Sequence, residues 1–244
     1  MAETEQLHYH DPQELELWTR SVLLTSGSQP SEAEQVARHL VESNLVGHDS
    51  HGVIRITKYL EWVRKGMLVQ NRHLAIVSDR GPLLVADGNF GYGQVIGLEA
   101  MQLVADRAQS HGLCAFALRN SGHLGRVGAW AEELAMAGLA SFHFVNTSGF
   151  GILVAPFGGS DRRLSANPLA AGVPRPQQPP IILDIATSII AEGKIQVARN
   201  KGETVPPDAV VDGQGKPTTD PAAFYADPPG AILPFGGHKG SGLS

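Results

Sequence analysis

The stretch Asn120-Ser121-Gly122-His123-Leu124-Gly125-Arg126-Val127-Gly128 constrains this chain more than any other. It follows an apolar run, residues 113–118, that reads as a buried strand, and it precedes residues 129–137, which read as a helix closed by Gly138. The motif is therefore a strand-to-helix turn with three glycines, one histidine and one arginine. Glycine lets the backbone bend and lets a ligand approach. The first free amides of a helix attract anions. A histidine there exchanges protons near neutral pH. Proton donor, anion cradle and cation within a few residues predict the centre of a redox active site.

With 244 residues the chain can build a sizeable core in one or two domains. A net charge of −5 and the lack of a Lys/Arg block argue against a nucleic-acid partner. No apolar run reaches the length of a membrane span, and the opening residues 1–5 are acidic, unlike a signal peptide. The single Cys114 cannot form an internal disulfide, so a reducing cytoplasm is the expected location. The chain stops in a glycine-rich loop, residues 237–244, and is expected to be a fragment of a longer protein.

Asp11-Pro12 opens a first helix to about Ser26, and a second runs to about Val46, ended by Gly47. Ser50 is placed to cap a third, running to Gly66, with Val53, Ile56, Leu60 and Val63 as its apolar stripe. His51, Arg55 and Tyr59 are spaced four apart and fall on the opposite face. Such a face suits a small anionic ligand, because a guanidinium binds a carboxylate through two parallel hydrogen bonds. From residue 74 strands alternate with helices, beginning with a hairpin around Asp79-Arg80-Gly81-Pro82. Residues 91–112 carry a helix, residues 140–145 a strand, and residues 146–159 a glycine-rich loop. Asn167-Pro168 begins a short apolar piece, Ile181-Ile182-Leu183-Asp184 ends a strand, and Thr187 or Ser188 caps a helix to about Asn200. Asp212-Gly213-Gln214-Gly215 marks a turn between short strands.

Gly91-Tyr92-Gly93-Gln94-Val95-Ile96-Gly97 resembles a dinucleotide fingerprint, but the next strand ends in Arg119-Asn120 and not in an acidic residue for a ribose, which favours backbone packing. His48, Asp49 and His51 make a poor zinc signature. There is no Gly-x-Ser-x-Gly elbow. What remains is proton transfer with anion binding. Reduction of a 2-oxo acid needs a cation for the carboxylate, an acid for the carbonyl oxygen and a nicotinamide to carry hydride. Arg55 supplies the first and His123 the second; Asp184 either orients a histidine, binds a ribose or caps a helix.

Together these residues resemble the malate/L-lactate dehydrogenases of the non-Rossmann type. Asp49-Ser50-His51-Gly52 with Arg55 and Tyr59, the 120–125 motif, Asn167-Pro168, residues 183–188, residues 217–221 and Gly237-His238-Lys239-Gly240 come in that family's order. The resemblance implies an α/β fold that is not a Rossmann domain, with an N-terminal helical region and a mixed-sheet cofactor-binding domain. On that basis residues 1–75 carry part of the substrate site, residues 76–234 bind the cofactor, and residues 235–244 begin a return to the first domain. It implies an NAD- or NADP-dependent oxidoreductase acting on a small 2-hydroxy or 2-oxo acid, homodimeric when full length. By position, His123 matches the acid/base, with Asp184 beside it in the catalytic set. His51 matches a cofactor- or substrate-contacting histidine, and Arg55 and Tyr59 fall on the substrate. Gly125, Arg126, Val127, Ile182, Leu183, Asp184, Ile185, Ala186, His238 and Lys239 match cofactor positions, with a pyrophosphate resting on the helix after Gly125. Arg126 or Arg119 is the candidate for a 2′-phosphate. Family members are longer, and Ser241 stands where an aromatic residue often follows His-Lys-Gly. Two other readings stay open: a non-catalytic ligand-binding fragment, and a metal-dependent hydrolase built on His48, Asp49 and His51.

Overall fold

The computed structural model describes residues 9–147 and 151–244; the acidic opening and residues 148–150 of the glycine-rich loop lie outside the described residues. The chain divides into two compact units, one ending at Arg126 and the other beginning at Val127.

The first unit opens with helices α1 (Pro12–Thr25) and α2 (Pro30–Leu45). Asp11 caps α1 by accepting hydrogen bonds from the amides of Gln13 and Glu14, with Pro12 at the first helical position. Leu23 of α1 packs on Val36, Ala37 and Leu40 of α2. Helix α3 (Arg55–Arg64) starts later than the spacing predicts, and Ser50 does not cap it. Asp49–His51 instead close a 3-10 turn, and Gly52 is extended. Asn44 explains the delay: its side-chain oxygen accepts from the Val53 amide at 2.9 Å, and a Cβ on Gly52 would lie 2.1 Å from that oxygen. His51 therefore does not share a helical face with Arg55 and Tyr59. Nor does Tyr59 face solvent; it is 1% exposed, in the core with Ile56, Leu68 and Tyr92.

Strand β1 (Ala75–Arg80) forms the expected hairpin with β2 (Leu83–Asp87). Helix α4 (Gly93–His111) then leads to β3 (Ala115–Arg119), parallel to β2, in the order β1-β2-β3. The apolar run before the histidine motif is thus an edge strand with alternating exposure, not a buried one. The change of pattern near residue 75 is a change of secondary structure inside this unit, because Tyr92 and Val95 join the core of α1–α3.

In the second unit, α5 (Gly128–Met136) lies on a three-stranded antiparallel sheet of β4 (Ser141–Phe144), β5 (Leu169–Arg175) and β6 (Gln178–Ile185). A Cβ on Gly172 would sit 2.3 Å from the Ala131 carbonyl oxygen, so only glycine permits this approach. Period-two alternation sends Gly172 and Asp184 toward α5 and leaves Phe142, Phe144 and Ile181 exposed on the other face. Helix α6 (Glu192–Lys201) begins after Ala191, beyond the predicted caps. Thr187 spends its hydroxyl on the Ala166 carbonyl, and Ser188 bridges to Pro234. A small sheet of β7 (Val210–Val211), β8 (Pro217–Thr218) and β9 (Ala231–Ile232) follows, with α7 (Pro221–Phe224) and α8 (His238–Leu243). Val154, Ile195, Val210, Phe224 and Ile232 form its core.

Candidate active site

The histidine of the central motif is held from below by the glycine-rich loop that opens α4. The Gly122 amide donates to the Gly91 carbonyl at 2.9 Å, and the Phe90 amide donates to the Asn120 carbonyl at 2.7 Å. A Cβ on Gly93 would lie 2.2 Å from the His123 carbonyl oxygen. The loop that resembles a dinucleotide fingerprint therefore serves as backbone packing beneath His123. Gly125 has φ +72°, and a Cβ there would sit 2.3 Å from Nε2 of His39.

Within the first unit four of the sequence-predicted residues converge. The Tyr59 hydroxyl lies 2.8 Å from Nδ1 of His123, 64 residues further along the chain. Gln94 donates from Nε2 to the Tyr59 oxygen, also at 2.8 Å. The rings of His51 and His123 stack with centroids 5.4 Å apart and planes 23° from parallel. Arg55 donates from Nε to the Ser50 carbonyl and lies close enough to act electrostatically on both imidazoles. Gln94 and His39, both buried, were not singled out as site residues from sequence. The one signal for Gln94 is a polar residue set among glycines and apolar residues in the first turn of a helix.

These groups do not titrate where free side chains would. Burial, then the positive charge of Arg55, holds the His123 imidazole down at about 3. Burial, then Arg55, His48 and Arg126, holds His51 at about 4. Burial, then Arg126, holds His39 at about 4. Burial pushes the Tyr59 phenol up to about 12. The expectation of an imidazole balanced near neutral pH is thus corrected: desolvation and a neighbouring guanidinium both disfavour the imidazolium, and His123 is neutral at about pH 7.

In the second unit the Asp184 carboxylate accepts from the Gly128 amide at 2.8 Å, and a Cβ on Gly128 would lie 2.6 Å from its Oδ2. Of the roles open to Asp184, the structure shows capping of α5; the Nδ1 partner of His123 is Tyr59. The start of α5 thus already carries a carboxylate, at an amide expected to face a pyrophosphate. Val127 is buried at that point. Residues 182–188 and 234–239 meet: the Phe235 amide donates to the Thr187 carbonyl at 3.0 Å, and Ser188 bridges to Pro234. His238 and Lys239 are exposed, and the His238 ring meets Phe157 edge-on at 5.7 Å. Alternation along β6 leaves Leu183 exposed and Ile182 and Ile185 half-buried, while Ala186 just beyond the strand is exposed. Arg119, one candidate for a 2′-phosphate, donates to the Asp87 carboxylate at 2.9 Å, which offsets its charge. Among the described residues no group of three or more His, Cys, Asp or Glu side chains is placed to hold a metal ion. No helix among them is long and apolar enough to cross a membrane.

Comparison with known proteins finds relatives that match nearly the whole chain. Hydroxycarboxylate dehydrogenase B from Escherichia coli is 44% identical over 237 residues, covering 97% of this chain and 65% of that protein. An L-lactate dehydrogenase from Cupriavidus necator is 40% identical over 225 residues, covering 92% of this chain and 64% of its own length. Among solved structures, Δ1-piperideine-2-carboxylate reductase from Pseudomonas syringae superposes with a TM-score of 0.89 at 32% identity, covering 98% of this chain and 70% of that one. Sulfolactate dehydrogenase from Methanocaldococcus jannaschii superposes with a TM-score of 0.86 at 36% identity, covering 96% and 66%. The chain thus spans about two thirds of the length of these relatives. Residues 10–244 match the family model described as malate/L-lactate dehydrogenase, and the chain belongs to that family.

Proposed function

We propose that this chain serves an NAD- or NADP-dependent oxidoreductase that interconverts a small 2-hydroxycarboxylate and its 2-oxo acid. The observation that carries the proposal is the convergence of His123, His51 and the Arg55 guanidinium in one half-buried cluster. Arg55 binds the carboxylate, and His51 and Tyr59 line the same cluster. In oxidation, Nε2 of His123 takes the hydroxyl proton while the adjacent C–H bond breaks; in reduction, it returns the proton to the carbonyl oxygen. A nicotinamide accepts or supplies the hydride. A neutral His123 can act as the base at Nε2 only with its own proton on Nδ1, facing the Tyr59 oxygen. A bound carboxylate neutralises Arg55 and so removes one of the charges that hold the imidazole down, which favours the protonated His123 of the reverse reaction.

The residues present fit a nicotinamide nucleotide. β6 is an edge strand, so alternate residues between Ile182 and Ile185 offer unpaired backbone groups to a ligand. Ser188, just beyond, keeps a buried hydroxyl oxygen with no hydrogen-bond partner. Gly125, Arg126, Val127, Ala186, His238 and Lys239 complete the proposed set. Arg126 or Arg119 is proposed to meet a 2′-phosphate, and Asp87 lies against Arg119. The exposed Phe142, at 75%, and Phe144, at 71%, support a homodimer that covers this sheet face.

The test is turnover of NADH or NADPH with a panel of 2-oxo acids, together with nucleotide titration of the wild type and His123→Ala. The expected result is a loss of about 10²–10⁴-fold in kcat with nucleotide binding retained. Unchanged turnover in the variant rejects the role of His123. Nucleotide binding without turnover in the wild type favours a ligand-binding module instead.

A further inference from the structure

Gln94 is fully buried in the first turn of α4. Its Nε2 donates to the Tyr59 oxygen, while its Oε1 is buried with no hydrogen-bond partner. A phenol has one proton to give and two lone pairs to receive with. With Gln94 donating to it, Tyr59 directs its own proton to Nδ1 of His123, 2.8 Å away. A neutral imidazole carries one proton, which then resides on Nε2.

The alternative uses the same heavy-atom positions. Turning the Gln94 amide by half a revolution exchanges its oxygen and nitrogen, which are nearly equal in size. The oxygen then accepts the Tyr59 proton, and the Tyr59 oxygen accepts from Nδ1–H of His123. Nε2 is left with a free lone pair, and the unpartnered position of Oε1 is taken by the NH2 group. The first arrangement makes Nε2 a hydrogen-bond donor. The second makes it a proton acceptor. The imidazolium, protonated on both nitrogens, fits only the second.

We propose that Gln94 is a positioning residue: the orientation of its amide, relayed by the Tyr59 hydroxyl, selects which nitrogen of His123 carries the proton. Its meaning for the reaction rests on the dehydrogenase reading; the tautomer itself does not. The orphaned Oε1 shows that the first orientation leaves one buried amide atom unsatisfied, so it is not locked by a second hydrogen bond.

The test is nitrogen-15 NMR of His123 in the histidine-labelled chain at mildly alkaline pH, with the signal assigned by its loss in His123→Gln. In Gln94→Glu the carboxylate only accepts, which forces the Tyr59 proton toward residue 94 and the imidazole proton onto Nδ1. In Gln94→Met residue 94 offers no polar atom, so Tyr59 donates to Nδ1 and the imidazole proton stays on Nε2. Opposite tautomers in the two variants are expected, and the same tautomer in both overturns the proposal. Circular dichroism checks the fold. If Gln94→Glu does not fold, Tyr59→Phe takes its place: without the hydroxyl the two tautomers interchange, and a spectrum identical to that of Gln94→Met overturns the proposal. In turnover assays Gln94→Met is expected to lower kcat about tenfold in both directions with KM little changed. Lack of turnover in the unaltered chain counts against the dehydrogenase reading alone, and the two tautomers still decide the role of Gln94.

Discussion

The Tyr59 hydroxyl lies 2.8 Å from Nδ1 of His123, joining a buried helix residue to the turn between β3 and α5. The contact orients the imidazole, and it also gives a phenol that is 1% exposed a hydrogen-bond partner. Tyr59→Phe removes the hydroxyl and leaves the Gln94 amide without its acceptor. A buried donor left unpaired costs about 1–3 kcal/mol. Urea unfolding should show a loss of that size, with the α-helical signal intact. A variant as stable as the wild type rejects the pairing.

Stability should also fall on mild acidification. The folded-state values of His123, near 3, and of His51 and His39, near 4, lie below the ordinary histidine value. Above about pH 6.5 these side chains are neutral in both states. Between there and the folded-state values only the unfolded chain takes up the protons, so stability drops as pH falls. The limiting slope for His123 alone is about 1.4 kcal/mol per pH unit. Unfolding curves from pH 7.5 down to pH 4.5 check this. His123→Gln should have a shallower slope than the wild type, and equal slopes would show that burial of this imidazole does not govern the acid response.

Arg55 has two effects that separate kinetically. Arg55→Ala removes the carboxylate partner, so KM for the 2-oxo acid should rise by about 10- to 100-fold, as for the loss of a charge-assisted pair. It also removes the cation that helps hold His123 down, so the ionisation of His123 should move up toward its ordinary value. A kcat/KM profile against pH that shows both changes supports the placement; an unmoved acid limb argues that Arg55 acts on binding alone.

Asp184 is expected to act through α5. Asp184→Ala should cost about 1 kcal/mol, the usual loss for a capping acceptor. Asp184→Asn keeps an oxygen for the Gly128 amide and should recover most of it. Thermal melts of the three proteins distinguish this from a purely chemical role, in which Asn would be as damaging to turnover as Ala while neither changed stability.

Much of this protein is determined locally. Asp11 followed by Pro12 starts α1 because side-chain capping and a fixed φ act within one turn. Gly81-Pro82 turns the first hairpin, and Gly138, at φ +81°, follows α5 for the same kind of short-range reason. The order of the motifs also sufficed to indicate the family. Only the tertiary structure decided which polar groups are buried and what they meet. Helical spacing put His51, Arg55 and Tyr59 on one wet face, but Asn44 closes a turn that takes His51 out of the helix, and the core draws Tyr59 inward. Gln94 looked like part of a glycine-rich packing loop until Tyr59 stood within hydrogen-bond reach. The acidity of His123 follows the same division, since residue type sets its ordinary value, whereas desolvation and an arginine from a distant helix set the actual one. Backbone propensities act over a few residues; burial and electrostatic fields depend on every element packed around the group, which no single stretch of sequence contains.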